Sequence, residues 1–463
     1  MKRVFFVLLL VSSVLLFSAK ADPRLANSGR EDRNGWIFVH LQGTPGQIGF
    51  QHGYLLAPEI DDLLRMFAHA FAKGPMKKEW TFFREAAERI FWPKLEKEYQ
   101  EEIQGIVAGL GARGFQYDLI DITALNAYME IADYYLPWLS KHVKENSLSY
   151  QAQGKCSAFI ATGSWTKDGK IVVAHNNWGG YLSGERWNVI ADIVPAQGQR
   201  VFMDCLPGFI HSGDDFVVNS AGLIYTETTI TQFNGFDENG TPEFMRARKA
   251  AQYATSIDDF VRIMLDGNNG AYANDWLVGD IKTNEIARLE LGLKNHRVWR
   301  TKDGFYEGAN YASDPKLIAE ETTFDPSDMS ISPNSRKCRW AQLALEIKGG
   351  IDAELAKVMM ADHYDPIRRK TVLNNAVLCG HYDLDPRGAP EFGSPPFSSG
   401  GSSQAKVTTA ALAKEMKIWA RMGHPCGEDF LAAPFLAKHP EFKWQEPFLK
   451  DMKGNPWTLF MAK

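Results

Sequence analysis

Cationic surplus is missing from this chain. Its 463 residues carry 51 lysines and arginines against 56 aspartates and glutamates, a formal net charge of -5. Without a basic block there is no electrostatic footprint for nucleic acid or for an anionic bilayer. Beyond the first twenty residues no apolar stretch reaches about 18 residues, so no transmembrane segment is expected. The signatures G-x-S-x-G, H-E-x-x-H, C-x-x-C and Walker A are all absent, which removes a serine elbow, a zincin helix, a dithiol motif and a P-loop. Gly163–Lys170 (GSWTKDGK) has the wrong spacing for a phosphate loop and reads as a hairpin turn. No internal repeat is visible. What is present is 45% hydrophobic and 12% aromatic residues with 23% charged. That composition supports a real core in one large or two medium domains and argues against disorder.

Met1-Lys2-Arg3, an apolar run from Val4 to Phe17 and the small residues of Ala19-Lys20-Ala21 have the form of a signal peptide, residues 1–21, cut after Ala21. The chain is therefore expected to be secreted, periplasmic, or lumenal or lysosomal in a eukaryote. Cysteines tend to pair in such compartments. Five of them (Cys156, Cys205, Cys338, Cys379 and Cys426) is an odd number, so at least one is left over.

The periodicity changes near residue 150. From Pro58 to Glu145 apolar residues recur at three- and four-residue spacing, as at Ile60, Leu63, Leu64 and Phe67, and predict helices. Lys144–Lys155 is polar and aperiodic and reads as an exposed loop. From Cys156 the period falls to two: Cys156–Thr162 and Ile171–Ala174 form a predicted hairpin. Further strands are expected at 188–194, 215–218, 222–227, 275–280 and 286–291, with helices at 243–253 and 257–265. The Gly/Ser/Pro-rich stretch after Glu391 reads as a loop before a final helix near 408–422. Strand runs and helix runs without βαβ alternation indicate an α+β fold with antiparallel sheets.

Cys379-Gly380-His381 with His363 offers two or three scattered ligands, short of a tetrahedral set; neither metal nor cofactor is expected. Cys156 is the more pointed feature. It opens a strand directly after a cleavable-looking loop. If Cys156 attacked the Lys155-Cys156 peptide, it would emerge with a thiol and an α-amine on one residue. An amine of pKa about 7.7–8.0 can take the thiol proton near neutral pH. The plain alternative is a buried structural thiol.

The stretch CSAFIATGSWTKDGKIVVAHNNWGGY, beginning at Cys156, resembles the nucleophile hairpin of the phospholipase B-like proteins, secreted and lysosomal N-terminal-nucleophile hydrolases. Pro207–Phe216 (PGFIHSGDDF), Glu227-Thr228-Thr229 and Asn269–Trp276 (NGAYANDW) are similar to later segments of that family. The opening Gly43-Thr44-Pro45 with Gly49–Ala57, together with Asn126, Glu130, Ala361-Asp362-His363 and Cys379-Gly380-His381, is instead similar to the isopenicillin N acyltransferase-like family. Both resemblances imply a four-layer αββα sandwich of the N-terminal-nucleophile type and a self-processing cysteine. They imply Cys156 as nucleophile, His175 as the histidine closing the hairpin, Asn274 as an oxyanion donor, and Asn176, Trp178, Asp215, Glu227 and Thr228 as substrate-lining residues. Structural alternatives stay open: Asn274 capping a loop backbone, His175 bonding backbone, and Asp214-Asp215 and Glu227 as solvated turn residues.

The expected organisation is a helical segment, 22–155, severed from a catalytic chain, 156–463, and remaining bound to it as its own partner. The expected function is hydrolysis of acyl esters or amides through a thioester on Cys156. A small acyl-containing substrate is implied, a phospholipid or an N-acyl amide. The alternatives are an acyltransferase or amidase of small N-acyl compounds, and a catalytically retired binding protein.

Overall fold

The computed structural model describes residues 22–143, 155–213 and 216–463. The expected signal peptide, most of the polar loop before Cys156, and Asp214 and Asp215 lie outside the described residues.

Two sheets lie face to face. The strands of the first are β1 (Gly29–Arg33), β2 (Trp36–Gly43), β5 (Val189–Pro195), β6 (Val201–Cys205), β7 (Val217–Asn219), β8 (Leu223–Thr229), β9 (Asn274–Asp280), β10 (Glu285–Leu291) and β11 (His296–Thr301), paired in that order. The second runs β12 (Gly304–Gly308), β3 (Lys155–Thr162), β4 (Val172–Gly180), β15 (Gly400–Thr409), β16 (Lys417–Met422) and β17 (Thr458–Met461). A small ribbon of β13 (Tyr364–Asp365) and β14 (Lys370–Thr371) stands apart.

Alternation of side chains across each strand builds the layers. Phe38, Ile190, Phe202, Ile224 and Leu277 of the first sheet meet Ala158, Ile160, Val173, Ile418 and Phe460 of the second. The opposite face of the first sheet, with Val39, Ala191, Met203 and Tyr225, buries against the helices Ala57–Lys73, Lys97–Ala112, Leu119–Asn126 and Ile257–Leu265. The outer face of the second, with Phe159, Ala174, Ala405 and Val407, buries against the helices Ser332–Ile347 and Ala353–Met360. Helix, sheet, sheet, helix is the αββα order that the family resemblances implied.

Three details depart from expectation. The segment 22–155 is not helical throughout: β1 and β2 extend the first sheet, and β2 runs parallel to β5, whereas the other strand pairs are antiparallel. Trp36 and Phe38 face the inter-sheet core while Val39 and Leu41 face the helices, so β2 is apolar on both faces and its period of two is hidden. Second, the Gly/Ser stretch at 400–409 is not loop but the inner strand β15, between β4 and β16. Its polar Gln404 and Lys406 are buried. Lys406 pairs with Asp204 at 2.9 Å, a compensation no local pattern displays. Third, the final helix near 408–422 is only the short helix Ala410–Lys414; Met416 then takes a left-handed φ of 52° and the chain returns as β16.

Candidate active site

Cys156 sits second in β3, opposite Asn177 of β4, with Ser157 opposite Asn176 and Ala158 opposite His175. Alternation sends Cys156, Ala158 and Ile160 toward the inter-sheet space and Ser157 and Phe159 toward the outer helices. His175 is thus further along β4 than the position directly across from Cys156. It shares the cysteine's face nonetheless: Cys156 Sγ, a His175 ring nitrogen and a Glu227 carboxylate oxygen all lie within 4.8 Å of one another. The Cys156 thiol points to Glu227 Oε1 at 4.0 Å, and Tyr272 donates its hydroxyl to that same oxygen at 3.0 Å. Tyr272 holds a left-handed φ of 51°, a strained backbone for an aromatic residue and a feature that clusters at functional sites.

The backbone of Cys156 is gripped from the outer side. Its N–H donates to Asn310 Oδ1 at 2.9 Å, and its carbonyl accepts from Arg336. Arg336 also donates to Asn310 Oδ1 at 2.9 Å and to Ser157 Oγ at 3.2 Å. Asn310 Nδ2 is anchored on the Thr229 carbonyl at 2.9 Å. Arg336 is wholly buried on the face of Trp178, 4.2 Å from the ring centroid, and desolvation pulls it down to about 10. Burial, reinforced by Lys406, drives the His175 imidazole well below its usual pKa, so it is neutral at neutral pH.

Lys155 is buried as well. Its ammonium donates to Ser394 Oγ at 2.5 Å and lies over the rings of Tyr382 and Phe392, at 4.3 and 4.9 Å. Desolvation, opposed by Glu391 and Asp133, lowers it to about 7. Beside Lys155 and Cys156 opens a cavity of about 240 Å³, walled by Met66, Phe67, Phe71 and Met76 from the N-terminal helices, by Trp178 and Trp187, and by Phe442 and Trp444 near the C-terminus. Both halves of the chain therefore build one apolar pocket leading to the thiol.

The remaining expected site residues are placed unevenly. Trp178 lines the cavity. Asn176 does not: its amide donates outward to the carbonyls of Met360 and Leu378, at 2.7 and 3.0 Å, and its neighbour Asn177 takes the cavity position. One residue of strand alternation makes the difference. Thr228 Oγ1 accepts from the Asn310 N–H at 3.5 Å. Asp215 lies outside the described residues. Asn274, at the head of β9, is buried with neither amide atom hydrogen-bonded, a condition that calls for an explanation in a folded protein.

Asn310 and Arg336 were missed by sequence reasoning. Neither belongs to a recognisable motif, and nothing in the local sequence around Arg336 distinguishes a buried arginine from a solvated one. The acyltransferase-like opening, by contrast, is architectural. Gln51 clamps the backbone of Gln42, His52 Nε2 accepts from the Gly208 N–H at 2.8 Å, Asn126 bonds both Gly208 and Ile210, and Glu130 holds Phe244 and Asn269. Cys379, His381 and His363 are joined by Cys426, a fourth ligand-type side chain that sequence spacing did not connect to them.

The sequence profile described as Phospholipase B matches residues 63–299, from the helix that walls the cavity through Cys156, His175, Glu227 and Asn274. The chain belongs to the phospholipase B family. Phospholipase B-like 1 of Homo sapiens is 28% identical over 265 residues, covering 50% of this chain and 47% of the human protein. Phospholipase B-like 1 of Bos taurus is 27% identical over 266 residues, covering 50% of this chain and 48% of its own length. An uncharacterized protein of Archaeoglobus fulgidus is 24% identical over 348 residues, covering 69% and 55%. The chain thus spans about half the length of these phospholipase B-like relatives. Among solved structures, a mutant conjugated bile acid hydrolase from Clostridium perfringens aligns with a TM-score of 0.33 at 11% identity, over 57% of this chain and 89% of that one. Among the described residues of this phospholipase B family member, no helix is long and apolar enough to cross a membrane.

Proposed function

We propose that this phospholipase B family chain is an exported, self-cleaving N-terminal-nucleophile hydrolase that removes acyl chains through a thioester on Cys156. The observation that carries the reading is the double hold on Cys156. Its nitrogen rests on Asn310 Oδ1, and its thiol turns toward Glu227 and His175 at the end of an apolar cavity.

In the precursor the nitrogen of Cys156 is an amide and has no basicity, so another group must take the thiol proton. Glu227 is the group in position. Sγ attacks the Lys155 carbonyl carbon, the carbon–nitrogen bond breaks, and the proton passes to the departing nitrogen, which becomes the α-amine. Water then hydrolyses the thioester, releasing the Lys155 carboxylate and restoring the thiol. In turnover the α-amine is the base. Its partner Asn310 Oδ1 also accepts from the Arg336 guanidinium, and a neighbouring positive charge disfavours protonation of the amine. The unpartnered amide of Asn274 supports its role as the oxyanion donor, worth about 3 kcal/mol of transition-state stabilisation. The acyl chain occupies the cavity, the alcohol leaves with a proton, and water frees the acid.

The aromatic and methionine walls favour a long acyl chain, which supports a glycerophospholipid over a small N-acyl amide. Mass spectrometry of the mature termini is expected to find Cys156 as a new N-terminus. Cys156→Ala should remain a single chain and release no fatty acid from phosphatidylcholine vesicles. Cleavage of that variant at the same bond would refute self-processing; release from an N-acyl amide but not from phospholipid would overturn the substrate.

A further inference from the structure

Away from the nucleophile, four side chains from three separate stretches converge. His363 follows the helix Ala353–Met360, Cys379 and His381 lie two residues apart in the loop after β14, and Cys426 lies in the loop after β16. One ligand atom from each lies within 4.8 Å of all the others. His381 Nε2 is 3.7 Å from Cys379 Sγ and 3.7 Å from Cys426 Sγ. A tetrahedral zinc ion, with Zn–S about 2.3 Å and Zn–N about 2.1 Å, requires nitrogen–sulfur edges of about 3.6 Å. His363 Nε2 is shut away from solvent without a hydrogen bond.

We infer that His363, Cys379, His381 and Cys426 form a structural zinc site. Two thiols and two imidazoles suit zinc and exclude calcium or magnesium, which take oxygen ligands. Four protein ligands leave no open position, so the ion would act as a clamp and not as a Lewis acid. The backbone is arranged for it. The segment is pinned by Cys379 N–H to the Asp362 carbonyl at 3.1 Å, Gly380 N–H to Ser402 Oγ at 3.0 Å, and His381 N–H to the Asn374 carbonyl at 2.9 Å. His424 lies against the His381 ring, with centroids 4.2 Å apart, and is itself 3.2 Å from the Tyr181 hydroxyl. These supporting contacts orient ligands before the metal arrives.

The clamp reaches the active-site cavity through the residue between its ligands. Gly380 packs so closely on Trp178 that a Cβ there would lie 2.6 Å from the indole ring, and Tyr382, next after His381, lines the same cavity. Zinc would therefore hold the wall that carries Trp178 and Tyr382, independently of whether Cys156 is a nucleophile.

The test uses the full chain, purified without chelator, assayed for metal and then exchanged with cobalt(II). One zinc per chain is expected, and the cobalt form should show the intense visible bands of tetrahedral thiolate coordination. Cys426→Ser should weaken cobalt binding by more than about 100-fold, whereas Cys338→Ser and Cys156→Ser should leave the spectrum unchanged. Peptide mapping of the same preparation covers variants that fail to fold. A Cys379–Cys426 disulfide in the native chain would overturn the site, and so would a reduced native chain that takes up no cobalt.

Discussion

Asn310 carries one oxygen between two nitrogens, the Arg336 guanidinium and the Cys156 main chain, each at 2.9 Å. Replacing the amide by a carboxylate puts negative charge beside the α-amine that the proposed cleavage would free, and raises its pKa. In Asn310→Asp the acid limb of the hydrolysis profile should move to higher pH by about one unit, measured as kcat/KM against pH. An unmoved limb would remove the amine from the base role. Glu227 stands at the other end of the cysteine. With its carboxylate made an amide, in Glu227→Gln, precursor cleavage should slow by at least about 100-fold, followed as loss of the uncut band with time. Cleavage at the native rate would leave the thiol proton without its assigned acceptor. Both residues depend on geometry that spacing along the chain does not reveal: Cys156, Glu227 and Asn310 come from three strands or strand ends, and of the three only Asn310 lies outside the family segments.

At the scale of elements, the contact between the helices Pro45–Leu55 and Lys97–Ala112 is built on glycine. A Cβ at Gly53 would lie 2.1 Å from the Ile106 carbonyl oxygen, and one at Gly109 would lie 2.3 Å from that of Phe50. Backbone cannot yield as a side-chain tip does, so Gly53→Ala should destabilise the fold by about 3 kcal/mol or more, as overpacking does, read by urea denaturation. Gly111, on the same helix, has nothing within 4 Å of its Cβ position; Gly111→Ala should instead stabilise by up to about 1 kcal/mol. The helical period made Lys97–Ala112 legible but not Pro45–Leu55, which precedes the region expected to be helical; Glu243–Tyr253 and Ile257–Leu265 match their expected limits. The same reading failed at β15 and β2, because a strand buried on both faces loses its alternation, and a buried Lys406–Asp204 pair makes an inner strand look like a loop.

For the molecule as a whole, β1 and β2 belong to the first sheet and the helices between 45 and 143 cover that sheet's outer face. If the proposed self-cleavage occurs, the pieces 22–155 and 156–463 should therefore co-elute in gel filtration and separate only in denaturant; separation in native buffer would contradict the shared core. Buried neutral histidines set the acid limit. Desolvation holds His52 at about 4 and His211 at about 3, both below the ordinary 6.5. The unfolded chain binds these protons first as pH falls, so stability is intact above about 6.5 and declines through the window down to about 4 and 3. The Tm should drop by several degrees between pH 7 and pH 4, measured by calorimetry at fixed ionic strength, and the drop should shrink in His211→Phe.

By itself the sequence determined the helix-rich N-terminal half, the β3–β4 hairpin and the cysteine at its head. Periodicity, turn residues and short motifs are local properties, written within a few residues of where they act. Tertiary structure alone decided which face each strand presents, and so placed Asn177 and not Asn176 at the cavity. It also brought Asn310 and Arg336 to Cys156, and Cys426 to His363, Cys379 and His381. Those relations join residues tens to hundreds of positions apart, and they exist only once two sheets have packed and excluded water from between them.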